Sequence, residues 1–143
     1  MTTYVITVPK VGKYMSANDR PNRWAKAAQT KEWRAAAHVA ANHAGAHMLI
    51  GLVRIVATVH IADKRRREVS NLFPTFKACI DGFVDAGILA DDSDAHVIGP
   101  DPRRAYDGPP RITFELTEWL GYNLTADGPL GVVCNQCGQD VAS

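Results

Sequence analysis

Apolar and polar residues alternate along two stretches of the chain, as they do in a strand that buries one face. In 49–62 the apolar face carries Val53, Ile55, Ala57, Val59 and Ile61. In 111–119 it carries Ile112, Phe114 and Leu116. A β-rich run at 3–8 predicts a third strand and residues 95–99 a short fourth one, followed by a proline-rich loop at 100–110.

Two other stretches follow helical spacing. Residues 22–44 hold nine alanines and end before Gly45, and Asp19 or Asn22 is placed to cap the start. The predicted apolar side of this helix consists of Trp33, Ala36, Ala40 and Ala44, extended by Trp24, Ala28 and Ala35. Residues 74–86 form the second helix, with Ser70 or Asn71 as its cap. Its buried stripe is Phe76, Ile80 and Phe83.

The order of these elements predicts an α+β domain, with a mixed β-sheet and two main helices packed on it. We place this domain at 1–120. Residues 121–143 are rich in glycine, lack periodicity and are predicted to be a flexible tail with a single CxxC sequence.

The formal net charge is only +1, which is low for a nucleic-acid-binding protein of 143 residues. The positive residues are nevertheless concentrated in 20–34, 64–67 and 103–104. On a helical wheel one arc of about 140° holds five of them. They are Arg20, Arg23, Lys26, Lys31 and Arg34.

This basic arc has two interpretations. It is a solvated surface, which the pattern alone favours, or it contacts phosphates, with Trp24 or Trp33 stacking on a base. Both tryptophans are expected in the core rather than on a base.

The chain has no apolar run of membrane-spanning length and no secretion signal, and its three cysteines are an odd number. We therefore expect no membrane association and a reducing, cytoplasmic location.

An acidic cluster follows the second predicted helix. Asp91, Asp92 and Asp94 offer the hard oxygen ligands that Mg²⁺ prefers, although a solvated acidic turn would be the simpler interpretation of these residues alone. The basic run Arg65–Arg67, Glu68 and Lys77 shift the balance towards a site that cleaves phosphodiesters. The ends of the intervening helix are about 20 Å apart. Glu68 and the aspartates meet only if their loops fold towards each other or across a dimer interface.

The stretch DKRRREVSNLFPTFKACIDGFVDAGILADDSDAHV, with the earlier MSANDRPNRWAKAAQTKEWRAAA, resembles the RusA family of Holliday-junction resolvases over about residues 4–118. The resemblance implies a RusA-like fold and a homodimeric, Mg²⁺-dependent endodeoxyribonuclease that resolves four-way DNA junctions by paired nicks. The family is encoded mainly by phages and prophages, which would place the protein in the host cytoplasm.

By this resemblance Glu68 and Asp92 match catalytic aspartates of the family, with Asp91 beside the second, and Lys77 matches its essential lysine. Glu68, Asp91 and Asp92 would be the metal ligands. The residues expected on DNA are Arg65, Arg66, Arg67, Asn71, Arg20, Arg23, Lys31 and Arg34. Glu68 is one methylene longer than aspartate, and Ser70 replaces a second aspartate. The alternative is therefore a junction-binding protein with weak or no catalysis.

The tail contains Cys134 and Cys137, which have the spacing of one zinc knuckle. A structural zinc site needs four ligands, and Cys79 is expected to be a core thiol. The two cysteines belong to a free tail, to a Cys₄ site shared by two subunits, or to half a site that a partner completes. The last reading gives a third function, an interaction protein tethered by zinc.

Overall fold

The computed structural model describes residues 2–20, 22–45, 48–49, 51–61, 69–90, 96–119, 122–124 and 132–134. The helices are α1 (Arg23–Ala44) and α2 (Phe73–Asp85), and a 3₁₀ helix at Val69–Leu72 leads into α2. The strands are β1 (Thr2–Pro9), β2 (Leu52–His60), β3 (Val97–Ala105), β4 (Arg111–Trp119), β5 (Tyr122–Leu124) and β6 (Val132–Cys134).

The main sheet has four strands in the order β1-β4-β2-β3. β4 runs antiparallel to both of its neighbours, and β2 and β3 are parallel, so the sheet is mixed. With the two helices packed on it, the fold is the predicted α+β arrangement. β5 and β6 form a separate antiparallel pair within the segment 121–143.

The alternating strands bury the predicted faces. All five apolar residues of the 49–62 pattern and all three of the 111–119 pattern are buried. Phe114 of β4 packs nearly perpendicular to Phe76 and Phe83 of α2, at centroid distances of 6.4 and 5.0 Å. Edge-to-face packing of this kind is favourable for aromatic rings. The core therefore lies between the sheet and the helices, and α2 lies directly over β4.

The ends of α1 follow the sequence. Asn22 caps the start, with its Oδ1 accepting the N–H of Ala25 at 2.8 Å, and Gly45 ends the helix in the left-handed conformation at φ 64°. The predicted cap of α2 is wrong. Leu72 occupies that position without a side-chain hydrogen bond, because the chain enters α2 through the 3₁₀ helix and Pro74 stands in the first turn.

The two helices pack closely at Gly82. A Cβ atom on Gly82 would lie 2.8 Å from the Cβ of Ala37 and still closer to the carbonyl oxygen of Arg34. Both neighbours belong to α1, and one of them is backbone. Glycine at position 82 is therefore what allows α1 and α2 to approach.

Two predictions about element boundaries and burial are wrong. β3 continues to Ala105 through the predicted loop 100–110, because Pro100 and Pro102 lie on an edge strand, where a missing N–H leaves no inner ladder bond unmade. Trp24 is not in the core. It is 76% exposed, whereas Trp33 is fully buried, because the buried stripe of α1 runs through Trp33, Ala37 and Ala41.

Neither helix in the described part of the chain is long and apolar enough to cross a membrane.

Candidate nucleic-acid interface

Three clefts that share lining residues lie next to one another, and we call them together the basic groove. The first lies between the loop after β1 and the 3₁₀ helix, and its walls include Lys10, Lys13 and Asn71. The second shares Ser16 and Asp19 with the first and adds Arg20 and Lys26. The third shares Lys26 and follows α1 past Arg23, Lys31 and Arg34. The clefts measure about 360, 300 and 500 Å³.

The loop that carries Lys10 and Lys13 is fixed to both helices. Trp33 of α1 donates its Nε1–H to the carbonyl of Lys13 at 3.0 Å. The buried hydroxyl of Thr75, on α2, accepts the N–H of Met15 at 2.7 Å and donates to the Met15 carbonyl at 2.9 Å. The N–H of Ala17 donates to the carbonyl of Asn71 at 2.7 Å. The first cleft is therefore built by the fold rather than by a free loop.

The groove is strongly positive. Its described walls carry seven cations and one carboxylate, that of Asp19. The carboxylate is engaged locally, since it accepts the N–H of Ser16 at 3.1 Å. The first turn of α1 contains no acidic residue, although acids are favourable at that end of a helix dipole. A local excess of cations on one surface attracts phosphates more effectively than the net charge of +1 suggests.

Arg34 has a structural role as well. Its Nε and Nη2 donate to the two carboxylate oxygens of Asp85 at 2.5 and 2.8 Å, so the pair joins α1 to α2. The hydrogen bond from Arg34 lowers the pKa of Asp85 below its usual range. Among the ion pairs that the described residues form, Arg34 is thus the predicted DNA-binding residue of α1 that is paired with an acid.

Lys77 is not among the residues that line the basic groove. Its Nζ is 3.1 Å from the carboxylate of Asp81, one turn along α2, and its side chain is 48% exposed. The described residues thus place Asn71, Arg20, Arg23, Lys31 and Arg34 around one groove and leave Lys77 on the outer side of α2.

All three predicted metal ligands, Glu68, Asp91 and Asp92, lie outside the described part of the chain. Asp94 and the predicted DNA-binding residues Arg65, Arg66 and Arg67 lie outside it as well. Their flanking residues are described. Val69 precedes α2 and Ala90 follows it, and a helix of 13 residues spans about 20 Å. A shared metal site would therefore require both segments to reach along α2, or require two copies of the chain.

Within the described residues, no group of three or more histidine, cysteine, aspartate or glutamate side chains could hold a metal ion. The three predicted ligands, Glu68, Asp91 and Asp92, fit Mg²⁺ by the chemistry of their oxygen donors.

Zinc at the C-terminal cysteines also stays a prediction. Cys134 ends β6, and Cys137 lies outside the described residues. Cys79 is fully buried and burial raises the pKa of its thiol, as expected for a core residue.

Lys10 and Lys13 are the groove residues that the sequence pattern missed. They flank Gly12 in a stretch without periodicity, and no local signal joins them to the basic arc of α1. The hydrogen bond from Trp33 to the Lys13 carbonyl, 20 residues earlier in the chain, holds the loop of the two lysines against α1. Only the folded chain brings these two lysines to the other cations.

A larger cavity of about 720 Å³ lies between β1 and α1. Size alone would make it the default ligand site. Its walls, as far as the chain is described, are mostly alanine and valine, and Glu32 and His43 are the ionisable side chains among them. It lacks the converging polar groups that orient a ligand, whereas the basic groove has them.

No protein-family model matches the chain, and no curated protein is similar enough to it to count as a relative.

Proposed function

We propose that the protein is a structure-selective endodeoxyribonuclease of the RusA type, which holds branched DNA in the basic groove and cuts it with Mg²⁺. The observation that carries the proposal is the groove itself, where cations from the loop after β1 meet those of α1. The resemblance of the sequence to the RusA family supports phosphodiester cleavage as the reaction. The concentration of positive residues in a few stretches of the chain supports DNA as the ligand.

The groove would bind the DNA backbone. Lysine and arginine side chains that contact phosphates release counterions, which makes binding strong at low salt and independent of sequence. Asn71 lies at the end of the groove that adjoins the 3₁₀ helix, and Glu68 is the residue immediately before that helix. A strand held in the groove would therefore run towards the segment that carries the predicted catalytic carboxylate.

Glu68, Asp91 and Asp92 would hold the Mg²⁺ ion. A metal in such a site polarises the phosphodiester and makes bound water a better nucleophile. Lys77 would lie near the developing phosphate charge or the nucleophile, and the Arg65–Arg67 run would add phosphate contacts. A four-way junction presents two equivalent strands, and two active sites in one complex would cut them as a pair. A homodimer supplies both sites, and it also offers a way for Glu68 and Asp92 of different copies to meet.

A labelled four-way junction tests the proposal. The protein is incubated with it in Mg²⁺ and separately in EDTA, and the products are resolved under native and denaturing conditions. We expect symmetric nicks in Mg²⁺ alone and a shifted, uncut complex in EDTA. No nicks and no shifted complex would contradict the proposal.

The second candidate is a junction-binding protein without efficient cleavage. It is favoured by Ser70, which is an exposed hydroxyl in the 3₁₀ helix where the resemblance expects a carboxylate. A hydroxyl is a much weaker Mg²⁺ ligand than a carboxylate. In the same experiment, this candidate gives the shifted complex under both conditions and no nicks.

A further inference from the structure

Trp24 is the most exposed of the large apolar side chains in the described part of the chain, at 76%. It is the second residue of α1, while Trp33 on the same helix is fully buried and hydrogen-bonded. Burying an aromatic side chain is one of the larger favourable contributions to folding. An indole that is left in solvent contributes almost nothing of this kind, so its presence is not explained by the core.

The surroundings of Trp24 are cationic. The guanidinium of Arg23 lies 5.2 Å from the centroid of the indole ring, within the range of a cation–π contact. Arg23 also lines the third cleft of the basic groove, and Lys26, two residues beyond Trp24, lines the second and third. The indole thus adjoins the groove without being part of its walls.

An aromatic platform beside a track of cations is how proteins hold unpaired nucleotides, because the cations follow the phosphates and the ring stacks on a base. A fully paired duplex offers the groove phosphates but keeps its bases stacked inside, so the ring has no partner there. We infer that Trp24 stacks on an unpaired DNA base, and that the basic groove therefore prefers DNA with an unpaired nucleotide over a continuous duplex. This inference rests on the proposed function, since the groove must bind DNA first.

The expected effect has a known size. Removing an aromatic ring that stacks on a base weakens binding by roughly 5- to 150-fold. The loss should apply only to DNA that offers an unpaired base. Phenylalanine at the same position keeps a ring and should restore most of the affinity.

Equilibrium binding in EDTA, where cutting is not expected, tests this directly. The probes are a 30-base-pair duplex and the same duplex with one unpaired base at its centre. We expect the wild-type chain to prefer the second probe. Trp24→Ala should bind the probe with the unpaired base roughly 5- to 150-fold more weakly than the wild type does, while its affinity for the duplex stays within about twofold. Trp24→Phe should keep most of the preference.

Tyr106 gives a matched control. It is 60% exposed, and the guanidinium of Arg104 lies 5.9 Å from its ring, but it does not line the basic groove. Tyr106→Ala should bind both probes as the wild type does. Thermal unfolding of each variant checks that the fold is intact.

The outcomes are distinct. If the wild type binds both probes equally, or if Trp24→Ala keeps the full preference, the stacking role is wrong while the proposed function stands. If the wild type binds neither these probes nor a four-way junction, the proposed function fails and the stacking role fails with it.

Discussion

Each cation of the basic groove that contacts a phosphate should contribute measurably to the strength and the salt dependence of DNA binding. Lys26 lies where the second and third clefts meet, so it is the cation best placed to contact phosphate in either. We predict that Lys26→Ala makes the negative slope of log affinity against log salt less steep by about 0.9 and weakens DNA binding about eightfold at 0.1 M salt. Fluorescence anisotropy across a salt series measures both quantities.

Arg103 provides the comparison for Lys26. It is an exposed cation on β3, outside the basic groove, and it donates to the carbonyl of its neighbour Pro102 at 3.1 Å. Arg103→Ala should leave the salt slope unchanged. Equal losses in the two variants would mean that binding follows total charge and not the groove.

Another residue-scale effect depends on pH. His60 Nδ1 lies 2.7 Å from a carboxylate oxygen of Asp107, and this hydrogen bond lowers the pKa of Asp107. A depressed folded-state pKa means that the stabilisation is complete above the unfolded value of about 3.9 and disappears as the pH falls through the folded value. Asp107→Asn should therefore lower the melting temperature at pH 7, with the gap to wild type closing below about pH 4. A gap that stays constant down to pH 2 would contradict this assignment.

At the scale of the elements, periodicity predicted the buried faces of the strands at 49–62 and 111–119 and of α2. On α1 it predicted Trp33 correctly, but the other buried residues are Ala37 and Ala41 rather than Ala36, Ala40 and Ala44. The failures have physical causes. β3 runs through two prolines because an edge strand tolerates them, and edge position is a property of the whole sheet. Trp24 is exposed because, at 3.6 residues per turn, it lies about 180° from Trp33, on the side of α1 opposite the buried stripe.

The contact between the helices gives a prediction at the same scale. Replacing glycine by alanine inside a helix normally stabilises it by about 1 kcal/mol. At Gly82 the added methyl would overlap the backbone of α1, which cannot yield as a flexible side chain would. We predict that Gly82→Ala lowers the free energy of unfolding by about 1–3 kcal/mol, measured by urea denaturation.

Ala35→Gly on α1 serves as the control for Gly82→Ala, because Ala35 is exposed in the described fold. It should cost about 1 kcal/mol from helix propensity alone. A neutral or stabilising effect of Gly82→Ala would show that the two helices are not tightly apposed at this point.

At the scale of the whole molecule, the net charge of +1 concealed the candidate site. Among the described residues, the groove walls hold one acid, Asp19, and the fold gathers the cations of the loop after β1 and of α1 on one surface. The sequence alone indicated the cations that α1 contributes to the groove, and it supplied the predicted catalytic acids. It contained no signal for Lys10 and Lys13, whose position depends on the contact of their loop with Trp33 and Thr75.

The most direct measurement compares cutting and binding of a four-way junction by the wild type and Asp92→Asn. Asparagine keeps the shape of the side chain and removes the charge that would hold Mg²⁺. We predict that the variant loses Mg²⁺-dependent nicking entirely, while its affinity for the junction in EDTA matches that of the wild type. Nicking by Asp92→Asn at the wild-type rate would contradict the account.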